Sequence, residues 1–213
     1  MTLTDITVPS MSDCVIAYAD AMARWQPGAR ERLQAVTLEL FAEQGFEGTT
    51  VAEIASRAGL TERTFFRYFT DKREVLFTGQ EAFEGMFVDQ IAAAPPHRQP
   101  FAVVTRALQA VATDFFPTER QTFSRQRQTI IDANPGLRER ELLKLTGLTS
   151  AMAAALRERG TPEPTALLVA ECGMTIFRVA FARWVGGNED HDLASIMDEV
   201  VAELRELVAR TTS

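Results

Sequence analysis

The chain has 213 residues, 46% hydrophobic and 24% charged, with a net charge of −7 at neutral pH. This length accommodates one large domain or two modest ones, and the composition is that of a globular protein with a packed core, which excludes wholesale disorder. The two cysteines are far apart and have no metal-ligand spacing, so the chain suits a reducing cytoplasm better than a secreted disulfide framework.

Residues 1–26 are predicted to form an arm ahead of the first clear helical pattern. They lack a basic start followed by an uninterrupted apolar stretch, so they do not resemble a signal peptide. One interpretation is a loosely ordered arm; another is a short amphipathic helix capped by Ser12, and Met11 and Met22 are alternative translation starts. No run of about 18 apolar residues is evident along the chain, so we expect a soluble, cytoplasmic protein with no membrane partner.

Two helices are predicted in the first part of residues 27–73. Pro27 opens the first, which carries apolar residues at helical spacing and is expected to end at Gly45. The second begins at Thr50, because a threonine followed three residues later by Glu53 is the pattern of a capping box.

A third, short helix is predicted after the turn at Gly59. Thr61 can cap it, with Leu60 and Phe65 as a hydrophobic staple. Phe65 and Phe69 are spaced to hold this helix against the other two, because a helix this short is not stable alone. Two short helices joined by a tight turn form a helix-turn-helix, whose second helix can enter the major groove of DNA. The residues then left facing outward are Glu62, Arg63, Thr64, Phe66 and Arg67.

The local charge of this segment bears on DNA binding more than the total does. Residues 27–73 contain seven cations and seven anions, so the whole net charge of −7 lies elsewhere, and four of those cations lie between Arg63 and Arg73. A hydroxyl, a guanidinium and an exposed aromatic ring on the third helix suit base edges, thymine methyls and phosphates. The alternative is an ordinary surface helix between two core helices.

Beyond residue 70 the apolar spacing stays helical, and no segment is predicted as a strand. A helix that starts at Thr70 or Asp71 is expected to carry Phe83 and Phe87 on one side and to break before Pro95. Further helices are predicted over 100–115, 118–132, 136–159, 162–185 and 191–210, separated by proline and glycine.

Residues 29–76 resemble the DNA-binding domain of the TetR family of tetracycline-repressor-like regulators. The resemblance lies in Leu40-Phe41, Gly45-Phe46, Thr49-Thr50, Ile54-Ala55, Ala58-Gly59, Thr64, Arg67-Tyr68-Phe69, Lys72 and Leu76. It implies an all-α fold, with a three-helix helix-turn-helix domain over residues 27–73 and a helical ligand-binding and dimerisation domain over residues 74–213. It also implies a homodimer on a double-stranded DNA operator, most often a repressor released by a small, largely apolar effector, although operator position can make such a protein an activator.

The resemblance assigns roles to individual residues. Eight are implied at the DNA: Thr50, Tyr68 and Lys72 at backbone phosphates, Arg63, Thr64 and Phe66 at bases or sugars, Thr61 as the cap of the recognition helix, and Arg67 on its outward side. Phe66 stands where the family often has tyrosine, and Ala52 where some members carry a basic residue. Glu62 is unfavourable near phosphates, although a glutamate can accept from cytosine. These departures affect the operator sequence rather than the binding mode.

The second domain is implied to hold the effector and the dimer interface. Its aromatic residues could line an apolar pocket or simply form core; those expected at the pocket are Phe83, Phe87, Phe115, Phe123, Phe177 and Phe181. The last two helices usually pair with those of a second copy in this family. The apolar stripe expected at that interface is Leu193, Ile196, Met197, Val200, Val201 and Leu204, with packing inside the chain as the alternative.

Residues 125–145 are similar to the C-terminal domain of actinobacterial regulators that resemble the mycofactocin regulator. This similarity implies a long-chain acyl or acyl-thioester effector as one candidate. Arg125, Arg127 or Lys144 could then meet its anionic head group, and ion pairs on the helix surface are the alternative.

An enzyme is the main rival class. The sequence has no GxSxG elbow, HExxH pair, glycine-rich phosphate loop or Cys/His pair at catalytic spacing, and its two histidines, His97 and His191, are expected at the surface. We therefore expect no catalytic residue, no cofactor and no bound metal. A helical interaction module that has lost DNA binding is the second rival, and the presence of Arg63, Tyr68 and Lys72 argues against it.

Overall fold

The computed structural model describes residues 28–187 and 191–210, and the regular structure in these ranges is entirely helical. It contains α1 (Ala29–Gly48), α2 (Val51–Arg57), α3 (Glu62–Tyr68), α4 (Gln80–Ala93), α5 (Pro100–Phe115), α6 (Gln121–Asp132), α7 (Pro135–Glu158), α8 (Glu163–Gly186) and α9 (Leu193–Arg210), with 3₁₀ turns at Glu74–Phe77 and Thr118–Arg120. The predicted all-α fold is confirmed. The expected arm over residues 1–26, with its Ser12 cap, lies outside the described residues, as does Pro27.

The glycine turns and helix caps predicted for α1, α2 and α3 are present in the structure. The regular turn of α1 breaks at Gly45, which has a φ of 80°, and Gly59 has a φ of 67° in the turn between α2 and α3. Thr50 and Glu53 form the predicted capping box of α2, and Thr61 caps α3. The caps at the starts of α2 and α3 were therefore predictable from the sequence alone.

The predicted helix from Thr70 or Asp71 is wrong at its start, because α4 begins only at Gln80. The Asp71 carboxylate accepts hydrogen bonds from the backbone N–H groups of Arg73 (2.7 Å) and Glu74 (3.2 Å), which begins the 3₁₀ turn instead. Gly79 then takes a φ of 87°, a left-handed conformation that interrupts a helix. The segment that joins the two halves of the chain is thus a turn, not a continuous helix.

Three apolar clusters stabilise the fold. The first holds α1, α2 and α3 together and comprises Leu33, Leu40, Ile54, Phe65, Phe69 and Val75. The second, which we name the joint cluster, comprises Leu38, Phe41, Phe46, Leu76, Phe77, Ile130, Ile131 and Leu137. Because it combines residues of α1, the 3₁₀ turn, α6 and α7, it joins the helix-turn-helix to the rest of the chain. The third and largest cluster is the core formed by α4, α5, α7, α8 and α9.

Helix α8 is central to that core and packs against α5, α6, α7 and α9. Nine of its residues are buried, among them Trp184. By length and composition alone α8 is also apolar enough to cross a membrane, although no run of about 18 apolar residues is evident in the sequence; buried core helices share this property.

The stripe predicted for the dimer interface is largely buried within the single chain. Leu193, Ile196, Met197, Val200 and Val201 of α9 lie in the core of their own chain, and Leu204 packs against that core. This is the packing that the intramolecular alternative describes, and the dimer interface stays a prediction. The exposed apolar side chains of α8 are Leu167, Leu168 and Val179, and those of α9 are Leu207 and Val208.

We predict that Gly79→Ala lowers the free energy of unfolding by about 1–2 kcal/mol, since an L-residue is strained at this φ. A Cβ at this position would also lie 3.4 Å from the Phe115 ring. Gly85→Ala is the matched control within α4: its Cβ would meet no atom within 4 Å, and alanine favours a helix by up to about 1 kcal/mol. Urea unfolding measures both, and equal stability of the two variants would contradict the assignment of Gly79.

Candidate nucleic-acid interface and ligand cavity

Helix α3 presents the surface that the sequence predicted. Phe65 and Phe69 are buried with their ring centroids 5.4 Å apart, which anchors this seven-residue helix to α1 and α2. On the opposite side Arg63 and Arg67 are exposed, and the Phe66 side chain is 54% exposed. A large exposed aromatic ring on the same helix as two exposed arginines is unfavourable in water and suits a nucleic-acid groove.

Two threonines of the predicted site are bonded to one another. The Thr61 hydroxyl oxygen accepts from the backbone N–H of Thr64 (3.2 Å) and lies 3.0 Å from the Thr64 hydroxyl. Thr61 therefore caps α3 as expected. Thr64 is half-buried, and its hydroxyl would have to turn from Thr61 to reach a base.

Thr50 is held in the same way at the start of α2. Its backbone N–H and its hydroxyl both donate to Glu53 Oε2 at 2.8 Å, and its hydroxyl oxygen accepts from the Glu53 N–H at 3.2 Å. These bonds from Thr50 lower the pKa of Glu53, so the carboxylate stays charged and the cap intact across the neutral range.

Lys72 has a structural role that sequence reasoning missed. Its ammonium donates to the carbonyl oxygens of Phe46 (2.6 Å) and Thr49 (2.7 Å) and lies 4.4 Å from the centre of the Phe46 ring. These bonds fix the end of α1 next to Thr50. Since an ammonium has three N–H donors, one remains for the predicted phosphate contact.

Helix α3 carries two exposed arginines, Arg63 and Arg67. Arg67 donates to the Tyr68 hydroxyl (3.1 Å) and stacks on its ring at 4.9 Å, which leaves the guanidinium on the outer surface. Arg57 is paired with Glu43 at 3.1 Å, and Arg73 with Asp71 at 2.9 Å. Burial alone would raise the pKa of Asp71, but its hydrogen bonds from Arg73 and Glu74 outweigh burial and lower it. Few cations are thus available for nonspecific attraction.

A cavity of about 700 Å³ lies among α4–α8 and reaches the 3₁₀ turn. Five of the six predicted phenylalanines line it: Phe83, Phe115, Phe123, Phe177 and Phe181. Phe87 is fully buried behind them and packs edge-on against Phe83 at 5.2 Å, so its assignment to the pocket is corrected to core. Phe116, which is not among the six, also lines the cavity.

The aromatic side of the cavity is closely packed. Phe177 and Phe181 stack at 5.6 Å, and Phe116 meets Phe181 edge-on at 5.3 Å. Phe83 lies 5.1 Å from Phe115. An apolar ligand body therefore has a preformed aromatic wall to lie against.

The rest of the cavity wall is cationic. It contains five cations, Arg120, Arg127, Arg138, Lys144 and Arg178, against two carboxylates, Asp132 and Glu141. In a chain with a net charge of −7, this excess of positive charge is local and favours an anion.

Two of these cations also hold the 3₁₀ turn. Arg127 donates from Nε to the Leu76 carbonyl oxygen (2.6 Å) and from Nη1 to Glu141 (3.0 Å). Burial lowers the pKa of the Arg127 guanidinium while Glu141 acts in the opposite direction, and arginine remains charged. Lys144 lies 3.7 Å from Glu74 Oε2, and Arg140 bonds the other oxygen of that carboxylate. Arg127 and Lys144 thus form the ion pairs that the alternative interpretation predicted.

Arg125, the third candidate for a head group, does not line the cavity. It donates to the carbonyl oxygens of Val185 (2.7 Å) and Gly187 at the end of α8. It therefore satisfies helix-terminal carbonyls, which sequence spacing could not reveal because its partners are about 60 residues away.

Two family models match this chain. Residues 33–78 match the bacterial regulatory proteins of the tetR family, and residues 98–209 match the MftR C-terminal domain. Together they cover most of the helix-turn-helix and α5–α9, and α4 lies between the two matches.

Among curated proteins, the chain is similar to the HTH-type transcriptional regulator TcmR of Streptomyces glaucescens, at 38% identity over 82 residues. It is also similar to the uncharacterised HTH-type transcriptional regulator YerO of Bacillus subtilis, at 34% identity over 62 residues. The matches cover 38% and 29% of this chain but only 36% and 22% of TcmR and YerO.

Among solved structures, a protein from Syntrophomonas wolfei described as a TetR-family regulator aligns with a TM-score of 0.61 and 16% identity, covering 85% of this chain and 95% of that one. One from Mesorhizobium loti aligns with a TM-score of 0.56 and 16% identity over the same shares. These two likenesses concern the fold.

We predict that Lys72→Met lowers the free energy of unfolding by about 1–3 kcal/mol, since two carbonyls lose a charged donor. Arg63→Ala is the control, because Arg63 is exposed on α3 and its loss should change stability by no more than about 0.5 kcal/mol. Urea unfolding compares the two, and wild-type stability in Lys72→Met would contradict its structural role.

Proposed function

Because this chain belongs to the TetR family of DNA-binding transcriptional regulators, we propose that it is a homodimeric repressor that a small ligand releases from its operator. The observation that carries this proposal is the position of the cavity. Its lining includes Leu76, Phe77 and Thr78, and the first two also belong to the joint cluster that supports the helix-turn-helix. A ligand in the cavity therefore contacts the segment that positions α3.

In this proposal α3 lies in the major groove. Arg63, Phe66 and Arg67 face the DNA from its exposed side, while Thr61 and Thr50 hold the ends of α3 and α2. A dimer presents two such helices to successive major-groove faces of a near-palindromic operator. The exposed apolar residues of α8, Leu167, Leu168 and Val179, support an interface that includes this helix.

The ligand of this proposal has an apolar body and an acidic or thioester end. The aromatic wall suits an acyl chain or ring system, and the five cations suit an anionic end. A long-chain acyl or acyl-thioester compound fits both requirements. The protein would act without a cofactor or a membrane partner, as a regulator in the cytoplasm where its DNA lies.

The first experiment is a fluorescence-anisotropy titration against DNA from upstream of the protein's own gene, beside a scrambled duplex, at two salt concentrations. We expect a preference of about a thousandfold for the operator, the lower range for specific regulators. Arg63→Ala should weaken operator binding by about tenfold or more, since a base contact contributes roughly 1–3 kcal/mol.

Arg205→Ala is the matched control, since this exposed arginine lies on α9, outside the helix-turn-helix. It should bind the operator like the wild type. Equal weakening by both substitutions would show that bulk charge, not α3, determines affinity.

Occupancy of the cavity is tested with decanoate and decanoyl-coenzyme A by thermal shift and by release from DNA. We expect Leu142→Trp to weaken ligand binding, because Leu142 lines the cavity and is 55% exposed, so an indole there narrows its mouth. Leu143→Trp is the control on the same helix: Leu143 is 67% exposed and is not part of the lining. Identical ligand affinity in the two variants would place the ligand elsewhere.

A further inference from the structure

Glu74 stands at the boundary between the cavity and the helix-turn-helix. It lies in the 3₁₀ turn, and its carboxylate is shared between Arg140 and Lys144 of α7. Lys144 lines the cavity, whereas Arg140 does not. One partner of this carboxylate is therefore within reach of a ligand and the other is not.

The bond between Lys144 and Glu74 is the weaker of the two. Its N···O distance of 3.7 Å exceeds the roughly 2.7–2.9 Å of a strong charge-assisted hydrogen bond. Lys144 also lies 5.4 Å from the centre of the Phe77 ring, on which Arg127 is placed at 5.3 Å. An anion in the cavity would compete for an ammonium that Glu74 holds only loosely.

Gln80 provides a second hydrogen-bond donor in the same cavity walls as Lys144. Its side chain and Lys144 both line the main cavity and an adjoining one of about 510 Å³ between α4 and α7. Gln80 Nε2 is buried and has no hydrogen-bond partner among the described residues. A buried amide N–H without a partner is costly, and a ligand oxygen beside Lys144 would relieve that cost.

We propose that Lys144 and Gln80 form the binding site for the anionic end of the ligand, and that Glu74 is its internal competitor. When the ligand carboxylate binds Lys144, Glu74 loses one of its two partners and the 3₁₀ turn loses part of its attachment to α7. Gln80 is the first residue of α4 and directly follows Gly79, so the same ligand contact displaces the start of α4. This inference rests on the proposed ligand response and specifies how that response is triggered.

The test compares decanoate with 1-decanol, which has the same chain length without the charge. Isothermal titration calorimetry of the full-length protein should show wild-type affinity at least about tenfold higher for decanoate, the range expected for a charge-assisted bond. Lys144→Met should abolish that preference, with decanoate affinity falling to that of 1-decanol. Arg140→Met is the matched control, since Arg140 pairs with Glu74 outside the cavity, and it should keep the preference for decanoate.

Glu74→Gln has two expected effects of opposite sign. Decanoate affinity should rise by about threefold or more because the competitor is gone, while operator affinity without ligand should fall because the turn is less firmly held. A residue with a purely structural role would lower both. Thermal unfolding confirms that each variant is folded, and Lys144→Gln serves in place of Lys144→Met if the latter is not.

The outcomes separate this inference from the proposal it rests on. Equal wild-type affinity for decanoate and 1-decanol, or an unchanged preference in Lys144→Met, overturns the Lys144 site while leaving a ligand-responsive cavity. If neither compound binds, both the Lys144 site and the proposed ligand response are overturned. Operator binding without ligand is measured separately and tests the regulator itself.

Discussion

The 3₁₀ turn at Glu74–Phe77 is attached to both halves of the molecule, and the orientation of the helix-turn-helix depends on this attachment. Leu76 and Phe77 are buried in the joint cluster between α1, α6 and α7, the Leu76 carbonyl accepts from Arg127, and Glu74 is bound by α7. Close-packed apolar side chains transmit a displacement instead of absorbing it, and the turn has few alternative positions. Movement of the cavity wall therefore reaches α1 through direct contacts.

Lys72 extends that attachment toward the DNA-binding surface. It immediately precedes Arg73 and the turn, and its ammonium fixes the carbonyls of Phe46 and Thr49. Phe46 also belongs to the joint cluster, so apolar packing and a charged hydrogen bond meet at one residue. The joint cluster and Lys72 thus together set how the helix-turn-helix is oriented on the rest of the chain.

The features that were predictable from the sequence are those that depend on interactions between residues close together in the chain. The capping box at Thr50, the cap at Thr61 and the glycines at 45 and 59 act within a few residues, so the short helices could be located. Contacts between distant residues were not predictable: the carbonyl partners of Lys72 and the burial of the α9 stripe depend on neighbours that only the fold supplies. The break before α4 is local, because the Asp71 carboxylate and Gly79 act within a few residues, but the helical apolar spacing favoured a continuous helix. Five of the six predicted phenylalanines line the cavity, whereas the positions of Glu74 and Gln80 beside α7 depend on the fold.

The charge distribution explains why, in the proposed mechanism, a small reorientation of the helix-turn-helix is sufficient to change its affinity for DNA. Residues 27–73 are neutral overall, so phosphate attraction alone gives weak binding. In the proposed dimer, affinity then depends on both α3 helices fitting their grooves together, and a misfit removes several contacts at once. Regulatory coupling is typically about 1–3 kcal/mol, which is comparable to one or two charge-assisted hydrogen bonds. In the proposed mechanism the bonds that hold Glu74 and Leu76 are therefore of suitable strength: they fix the helix-turn-helix without ligand, and one ligand anion is sufficient to shift the equilibrium.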